Sequence, residues 1–529
     1  MPNKFCCLIA FFSLLFHVSL SQPSHWGSWQ TWGAQANGNY VNPILPADYS
    51  DLDCIRVASD YYVISSTFQF SPGLVILHSR DLVNWTIAGH VVTDLNQVGP
   101  DLNWDKMNRY GKGIWAGAIR YHDNKFWVYF GTPDEGYFMS TAKNPAGPWA
   151  PLHVVLASKG WDDCCPFWDD DGQGYLIGTN FADGYKIHLF RLTTDGKDLI
   201  ESSDKVIHQS PGSEANKLYK INGMYYHFFS EVKQEGRVVM MERSTNIYGP
   251  YSEIRQLNHA EKQYFEPNQG ALLETKKGKW YFLTHHGTGD WSGRIMSLLP
   301  VTWVDGWPLI GAVGKDGIGR MVWKGRMPVS RTIAAVPQTS DEFTATTLGP
   351  QWEWNYQPKA DKWSLLQRPG WLRLSAFRPL QADDLFKAGN TPTQRSFRSR
   401  YNEVIIKLDV SAMTEGQQAG LCHFANPHFG MIGIRCAGTT RRLLFKSNDT
   451  LLTGSVIKRQ IVWLRSVWGL DGISRFSYSE DGKGFTAFGN PYQLAWGSYR
   501  GDRIGVFSYN NLADTGSVDL DYFHYSLKK

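Results

Sequence analysis

Three short segments of this 529-residue chain place carboxylates at the head of a hydrophobic strand. They are Tyr49-Ser50-Asp51-Leu52-Asp53-Cys54-Ile55-Arg56, Gly160-Trp161-Asp162-Asp163-Cys164-Cys165-Pro166-Phe167 and Gly212-Ser213-Glu214-Ala215-Asn216-Lys217-Leu218-Tyr219. Carboxyl groups brought together from separate segments suit general acid/base hydrolysis. One, protonated, gives its proton to a leaving oxygen, while another, ionised, takes a proton from the attacking water. For a glycosidic bond cleaved with inversion the two stand roughly 6.5–9.5 Å apart, which leaves room for that water. A third carboxylate nearby raises the pKa of the acid by like-charge repulsion. Asp53 and Asp162 are the nearest rivals of Asp51 and Asp163. Neighbours along a strand face opposite sides, so one of each pair is expected in the pocket and the other outside it.

These segments belong to a repeat that would bring them together. A tight turn leads into a strand with adjacent aromatic residues at Ser59-Asp60-Tyr61-Tyr62, Asp123-Asn124-Lys125-Phe126-Trp127, Asp171-Gly172-Gln173-Gly174-Tyr175, Asn222-Gly223-Met224-Tyr225-Tyr226 and Lys277-Gly278-Lys279-Trp280-Tyr281. Asn-Gly and Asp-Gly pairs tolerate the positive φ of hairpin turns. The tips recur at roughly 45–65 residues, the period of propeller blades. A second motif, a strand ending in Ser that turns and closes on a ring, recurs at Ser79–Trp85, Ser140–Trp149 and Ser244–Tyr251. Trp85 and Trp149 read as blade caps. Helix periodicity is almost absent. The expectation is an all-β chain: a five-bladed β-propeller over residues 22–325, with equivalent positions of different blades facing one central channel, a linker over 326–339 marked by Pro328 and Pro337, and a β-sandwich over 340–529.

The composition agrees with this reading. Aromatic residues make up 14% of the chain, with 22 Trp and 51 Gly, as turn-rich β-structure and stacking on sugar faces both require. The net charge is only +4 and no basic block stands out, so nucleic acid and membrane surfaces are poor partners. Lys4 followed by the apolar run Phe5–Leu20 and Ser19-Leu20-Ser21 reads as a signal peptide over residues 1–21, implying a secreted or periplasmic protein. No other stretch is long and apolar enough for a membrane span. Cys54, Cys164, Cys165, Cys422 and Cys436 remain, an odd and sparse set expected as buried thiols, although Cys422 and Cys436 lie on neighbouring strand candidates. No CxxC or HExxH pattern marks a zinc site.

Further motifs in the right order carry a resemblance. They are Asn42-Pro43-Ile44-Leu45 with Tyr49-Ser50-Asp51, Ser71-Pro72-Gly73 through Trp85, Cys165-Pro166-Phe167-Trp168-Asp169-Asp170-Asp171-Gly172, Tyr248-Gly249-Pro250-Tyr251 and Pro300–Gly311. Beyond residue 340 they continue at Asn390–Arg395 and Gln418–Leu421. The chain resembles the family 43 glycoside hydrolases, in the group of β-xylosidases and α-L-arabinofuranosidases with a C-terminal concanavalin-like sandwich. The resemblance implies an inverting, exo-acting enzyme that releases xylose or arabinofuranose from plant polysaccharide such as xylan, arabinoxylan or arabinan side chains. It implies Asp51 as general base, Glu214 as general acid and Asp163 as the group that orients the acid and raises its pKa. Arg294 matches a sugar-contacting arginine, Trp115 a stacking platform, and His285 or His286 a channel histidine near water or a cation. No cofactor is required, and a structural calcium in the channel is compatible with the pattern. Leu52 and Cys164 stand where the family usually has Pro, and Gly117 replaces the Pro of a Trp-Ala-Pro motif, so pocket shape is expected to differ. The rival readings are a carbohydrate-binding propeller without catalysis and a family member of another linkage, an arabinanase or galactosidase.

Overall fold

The computed structural model describes residues 30–261, 267, 269–287, 289–329 and 335–529. The expected signal peptide lies outside the described residues. Apart from short 3-10 turns, every described element is a strand, and among the described residues no helix is long and apolar enough to cross a membrane.

Five antiparallel sheets follow one another along the first part of the chain. Their first strands are Asp53–Val57, Gly117–His122, Trp161–Trp168, Glu214–Ile221 and Gly270–Glu274. Each of the five turn signals in the sequence joins the first strand of its sheet to the second; Asn222 and Gly223 both adopt the left-handed backbone that the hairpin needs. Each sheet buries both faces against its neighbours. Ile64 and Ile76 of the first meet Val128 and Phe130 of the second. Tyr129 and Tyr137 of the second meet Trp161 and Leu176 of the third. Ile177 and Leu189 of the third meet Leu218 and Val238 of the fourth, and Phe228 and Met241 of the fourth meet Phe282 and Leu299 of the fifth. Val63 and Leu77 of the first share a cluster with Leu283 and Leu298 of the fifth. This circuit of interfaces explains why the strands are apolar throughout rather than alternating. It makes a propeller, with the first strands innermost.

The ring is fastened by Asn39–Val41, which pairs antiparallel with Lys324–Arg326. The end of the expected linker is held rather than free. Gln338 bonds both the backbone N–H (3.0 Å) and the carbonyl (3.1 Å) of Ile87, on the outer strand of the first sheet.

The remaining chain forms two facing sheets. In one, Tyr401–Asp409 alternates buried and half-buried positions, with Val404, Ile406 and Leu408 turned to the core. In the other, Gln417–Ala425 is buried at every position, because that sheet lies against the propeller as well as against its own partner. The two units share a sheet: Phe70–Ser71, which comes from the propeller, pairs with Glu353–Asn355 at its edge. The cysteines Cys54, Cys164, Cys165, Cys422 and Cys436 are free and buried.

Candidate active site

The inner strands lead their carboxylates into one cavity of about 450 Å³, lined by Asp51, Asp163, Glu214, Arg294, His285 and Trp115 among others. The backbone that delivers them is irregular. Asp51 has φ 56°, Asp163 φ 50° and Ala215, just after Glu214, φ 65°. Strand register shifts between Asp162 and Cys165 and again between Glu214 and Lys217. A β-bulge of this kind re-aims side chains.

Asp51 is held as an anion. Arg294 grips it with both guanidinium nitrogens, Nη1 to Oδ1 at 2.6 Å and Nη2 to Oδ2 at 3.2 Å. The hydroxyls of Ser50 (3.1 Å) and Ser66 donate to Oδ2. The Asp51 backbone N–H donates to Nδ1 of His285 at 2.8 Å. Burial alone would raise the Asp51 pKa, but Arg294, His285, the Ser66 hydroxyl and Arg500 together hold it below the usual value.

Glu214 is pushed the other way. Its pKa rises to about 7, chiefly through burial, with the charges of Asp163 and Asp51 adding to the effect and Arg237 and Arg294 opposing it. Arg237 Nη1 stands 3.2 Å from Oε1, and 34% of the glutamate side chain remains open to the cavity. Asp163 accepts the N–H of Ala215 at Oδ2 (2.8 Å) and the Gln269 amide at Oδ1 (2.7 Å). It is thereby tied to the backbone that carries Glu214. Its own pKa is raised, by burial first and by Asp51 in addition, against the pull of Lys217.

The two histidines divide. His285 lines the cavity; His286, next along the strand, points away, with Nε2 3.3 Å from Ser297 Oγ and its ring 5.6 Å from that of Trp323. Burial, with His285 adding, lowers its pKa to about 3. A substrate contact expected of His286 is therefore corrected: strand alternation puts it in the core. Trp115 is on the cavity wall, its Nε1 donating to the Gly111 carbonyl (3.2 Å) and its ring 6.2 Å from both Phe68 and Phe181.

The rival carboxylates resolve differently. Asp53 is out of the cavity, paired with Arg120 at 2.6 Å and accepting the N–H of Ile119. Asp162, expected outside if Asp163 is inside, also lines the cavity. The bulge breaks the two-residue period on which that expectation rested. Burial, reinforced by Asp163, lifts its pKa well above the usual carboxylate range. Phe68, Arg237, Gln269 and Tyr499 complete the wall without any local sequence signal. At Gly117 a β-carbon would meet the Tyr129 carbonyl at 2.6 Å, so the departure from Pro there fits a close backbone approach. Leu52 and Cys164, the other departures, are fully buried core residues. Among the described residues no group of three or more His, Cys, Asp or Glu is arranged to hold a metal ion.

Comparison with known proteins agrees with the architecture. Residues 40–308 match the profile described as glycosyl hydrolases family 43, and residues 340–526 the one described as the beta xylosidase C-terminal concanavalin A-like domain. A protein named beta-xylosidase from Formosa agariphila is 33% identical over 94% of this chain and 91% of its own length. A putative beta-xylosidase from Xylanibacter ruminicola is 36% identical over 90% and 88%. Among solved structures, a bifunctional GH43-CE protein of Bacteroides eggerthii superposes with a TM-score of 0.82 at 30% identity. That match covers 92% of this chain and 64% of the longer polypeptide.

Proposed function

The chain belongs to family 43 of the glycosyl hydrolases, and from that premise we propose that it is an inverting, exo-acting pentosidase releasing xylose or arabinofuranose from plant cell-wall polysaccharide. The observation that carries the proposal is the opposite tuning of two carboxylates in one cavity: Asp51 held ionised by Arg294, and Glu214 raised to about 7. Pairs whose surroundings push their pKa values apart are how one site runs acid and base chemistry together.

In this reading the pentose enters the cavity with its glycosidic oxygen toward Glu214. Glu214 protonates the leaving oxygen while Asp51 removes a proton from water on the opposite face of the ring. Asp163 keeps the Glu214 backbone in place and adds charge that favours the protonated acid. Arg294, already pairing with Asp51, offers its guanidinium to sugar hydroxyls, and Trp115 supplies a flat apolar face. A cavity of about 450 Å³ suits one or two sugar units better than a long chain, which supports release from an end or a side branch. The two relatives named as β-xylosidases make xylose the first substrate to try. The chemistry asks nothing of a metal, and export through an N-terminal leader belongs to the same proposal.

Hydrolysis of nitrophenyl xyloside and nitrophenyl arabinofuranoside tests the reading, with Glu214→Gln as control and NMR of the first-formed anomer. The expected product has inverted configuration. Retention of configuration, or parental rates in the Glu214→Gln variant, would overturn it, and a parent protein that binds but does not hydrolyse either glycoside would favour a carbohydrate-binding propeller.

A further inference from the structure

One segment of the sandwich reaches the site. At Gly497–Arg500 the chain turns tightly, with the two end residues exchanging backbone hydrogen bonds at 3.0 Å. The two central residues, Ser498 (φ 50°) and Tyr499 (φ 64°), both take the left-handed backbone that such turns normally assign to Asn and Gly. The turn is wedged in place: a β-carbon at Gly497 would strike the Asn426 carbonyl, and one at Gly111 of the propeller would strike Ser498. Tyr499 thereby stands on the cavity wall, while Arg500 is driven inward until 1% of it is exposed.

Arg500 ends among the groups that hold Asp51. Its Nη1 donates to Ser50 Oγ (2.9 Å) and to the Ser66 carbonyl (3.2 Å). Those are the two serines whose hydroxyls donate to Asp51 Oδ2. Its Nε pairs with Asp48 Oδ2 at 2.8 Å, and the other oxygen of Asp48 accepts the backbone N–H of Arg294 at 3.0 Å. Its guanidinium also lies 4.8 Å from the centre of the Phe68 ring. One buried cation from the sandwich thus braces the serines on one side of Asp51 and, through Asp48, the arginine on the other. We propose that Arg500 is a positioning residue for Asp51, so that the sandwich is part of the machinery that orients the general base. This rests on the reading of Asp51 as the base.

The charged and titratable groups that face Asp51 are Arg294 and His285 from the fifth sheet, Asp162 and Asp163 from the third, Glu214 from the fourth, and Arg500 from the sandwich. The two guanidiniums favour the anion and the carboxylates oppose it. Removing Arg500 therefore makes Asp51 easier to protonate, and the acidic limb of kcat/KM moves to higher pH.

Full-length Arg500→Gln, Arg500→Lys, Ser50→Ala and Asp51→Asn are compared on nitrophenyl xyloside and arabinofuranoside across about pH 3 to 9. In Arg500→Gln the acidic limb is expected to rise by about one pH unit and kcat to fall about tenfold or more, with KM within about twofold. Arg500→Lys recovers part of both changes. Ser50→Ala, which leaves the Arg500–Asp48 pair intact, shifts the limb in the same direction by less. The proposal is overturned if Arg500→Gln and Ser50→Ala keep the parental limb. Should Arg500→Gln fail to fold, Ser50→Ala decides alone by the same criterion. Asp51→Asn separates the two levels: an inactive variant with an unmoved limb in the others defeats only the role of Arg500, whereas an active Asp51→Asn defeats the base assignment itself.

Discussion

Arg237→Gln is the perturbation that reads the acid most directly. Arg237 stands 3.2 Å from a Glu214 oxygen and is itself anchored to the Gly212 carbonyl (2.7 Å) and Ser230 Oγ (3.1 Å). A cation there favours the ionised carboxylate, so it works against the burial and like charges that lift Glu214 to about 7. Two unit charges at that separation attract by about 1.3 kcal/mol in a water-like dielectric and by about 5 kcal/mol at an effective value near 20. A third of the Glu214 side chain is open to the cavity, which places the pair toward the screened end. The smaller figure corresponds to about one pKa unit. Removing the cation raises the Glu214 pKa, and in the proposed reading, where Glu214 acts protonated as the acid, that carries activity to higher pH. The basic limb of kcat/KM is expected near pH 7 in the parent, where Glu214 would titrate, and about one unit higher in Arg237→Gln. Arg237 also lines the cavity, so the absolute rate is set aside; the position of the limb is the readout, with thermal melting as a check on folding. A limb that stays in place, or moves down, would refute both the pairing and the assignment of Glu214 as the group that limits activity at high pH.

Asp51→Asn should lower turnover by about a thousandfold or more while the melting transition persists, and near-parental rates would remove Asp51 from the chemistry. Prolonged treatment with a chelator should leave kcat unchanged, since proton transfer between carboxylates, water and sugar needs no Lewis acid; a loss restored by added calcium would contradict this. Asp162, whose burial favours the neutral acid, should tolerate Asn, which keeps a hydrogen-bond donor, better than Ala. KM is expected to rise about tenfold in Asp162→Ala and about twofold or less in Asp162→Asn, and equal losses in both would show that no hydrogen bond to substrate is at stake.

Much of this arrangement was legible locally. The five turn signals marked the hairpin between the first and second strands of each sheet, most sharply at Asn222-Gly223, where a two-residue hairpin admits few residue types. The rule that equivalent ends of successive sheets face one channel brought the three carboxylate segments together, and the family resemblance singled out Asp51, Asp163 and Glu214 within them. What escaped was of two kinds. Arg237, Gln269, Tyr499 and Arg500 act across large sequence separations, and nothing in their immediate neighbours marks them; Arg500 is 450 residues from the serine it bonds. Asp162 escaped for a different reason. Its expected outward direction assumed a regular strand, and the strand is not regular at that point.

The irregularity at Asp162 extends to the site as a whole. Asp51, Asp163 and Ala215 are non-glycine residues in left-handed backbone, and each lies at or beside a carboxylate of the cavity. Such conformations cost on the order of 1–3 kcal/mol apiece and persist only where the surroundings determine them. Here the surroundings are visible. Arg294, Ser50, Ser66 and the ring of His285 fix Asp51 from four directions. The Ala215 N–H and the Gln269 amide fix Asp163 from two. A regular strand would send alternate side chains to opposite faces and let at most one of Asp162 and Asp163 reach the cavity. The bulge brings both, with strain that the hydrogen bonds offset. The residues that supply those bonds come from the first and fifth sheets for Asp51 and from the fourth and its successor for Asp163, with the sandwich bracing the serines from behind. The irregular backbone therefore depends on the ring being closed and the sandwich being docked. The contacts with Arg294 and Ser66 that keep the Asp51 pKa low are also among those that hold its chain in the strained path.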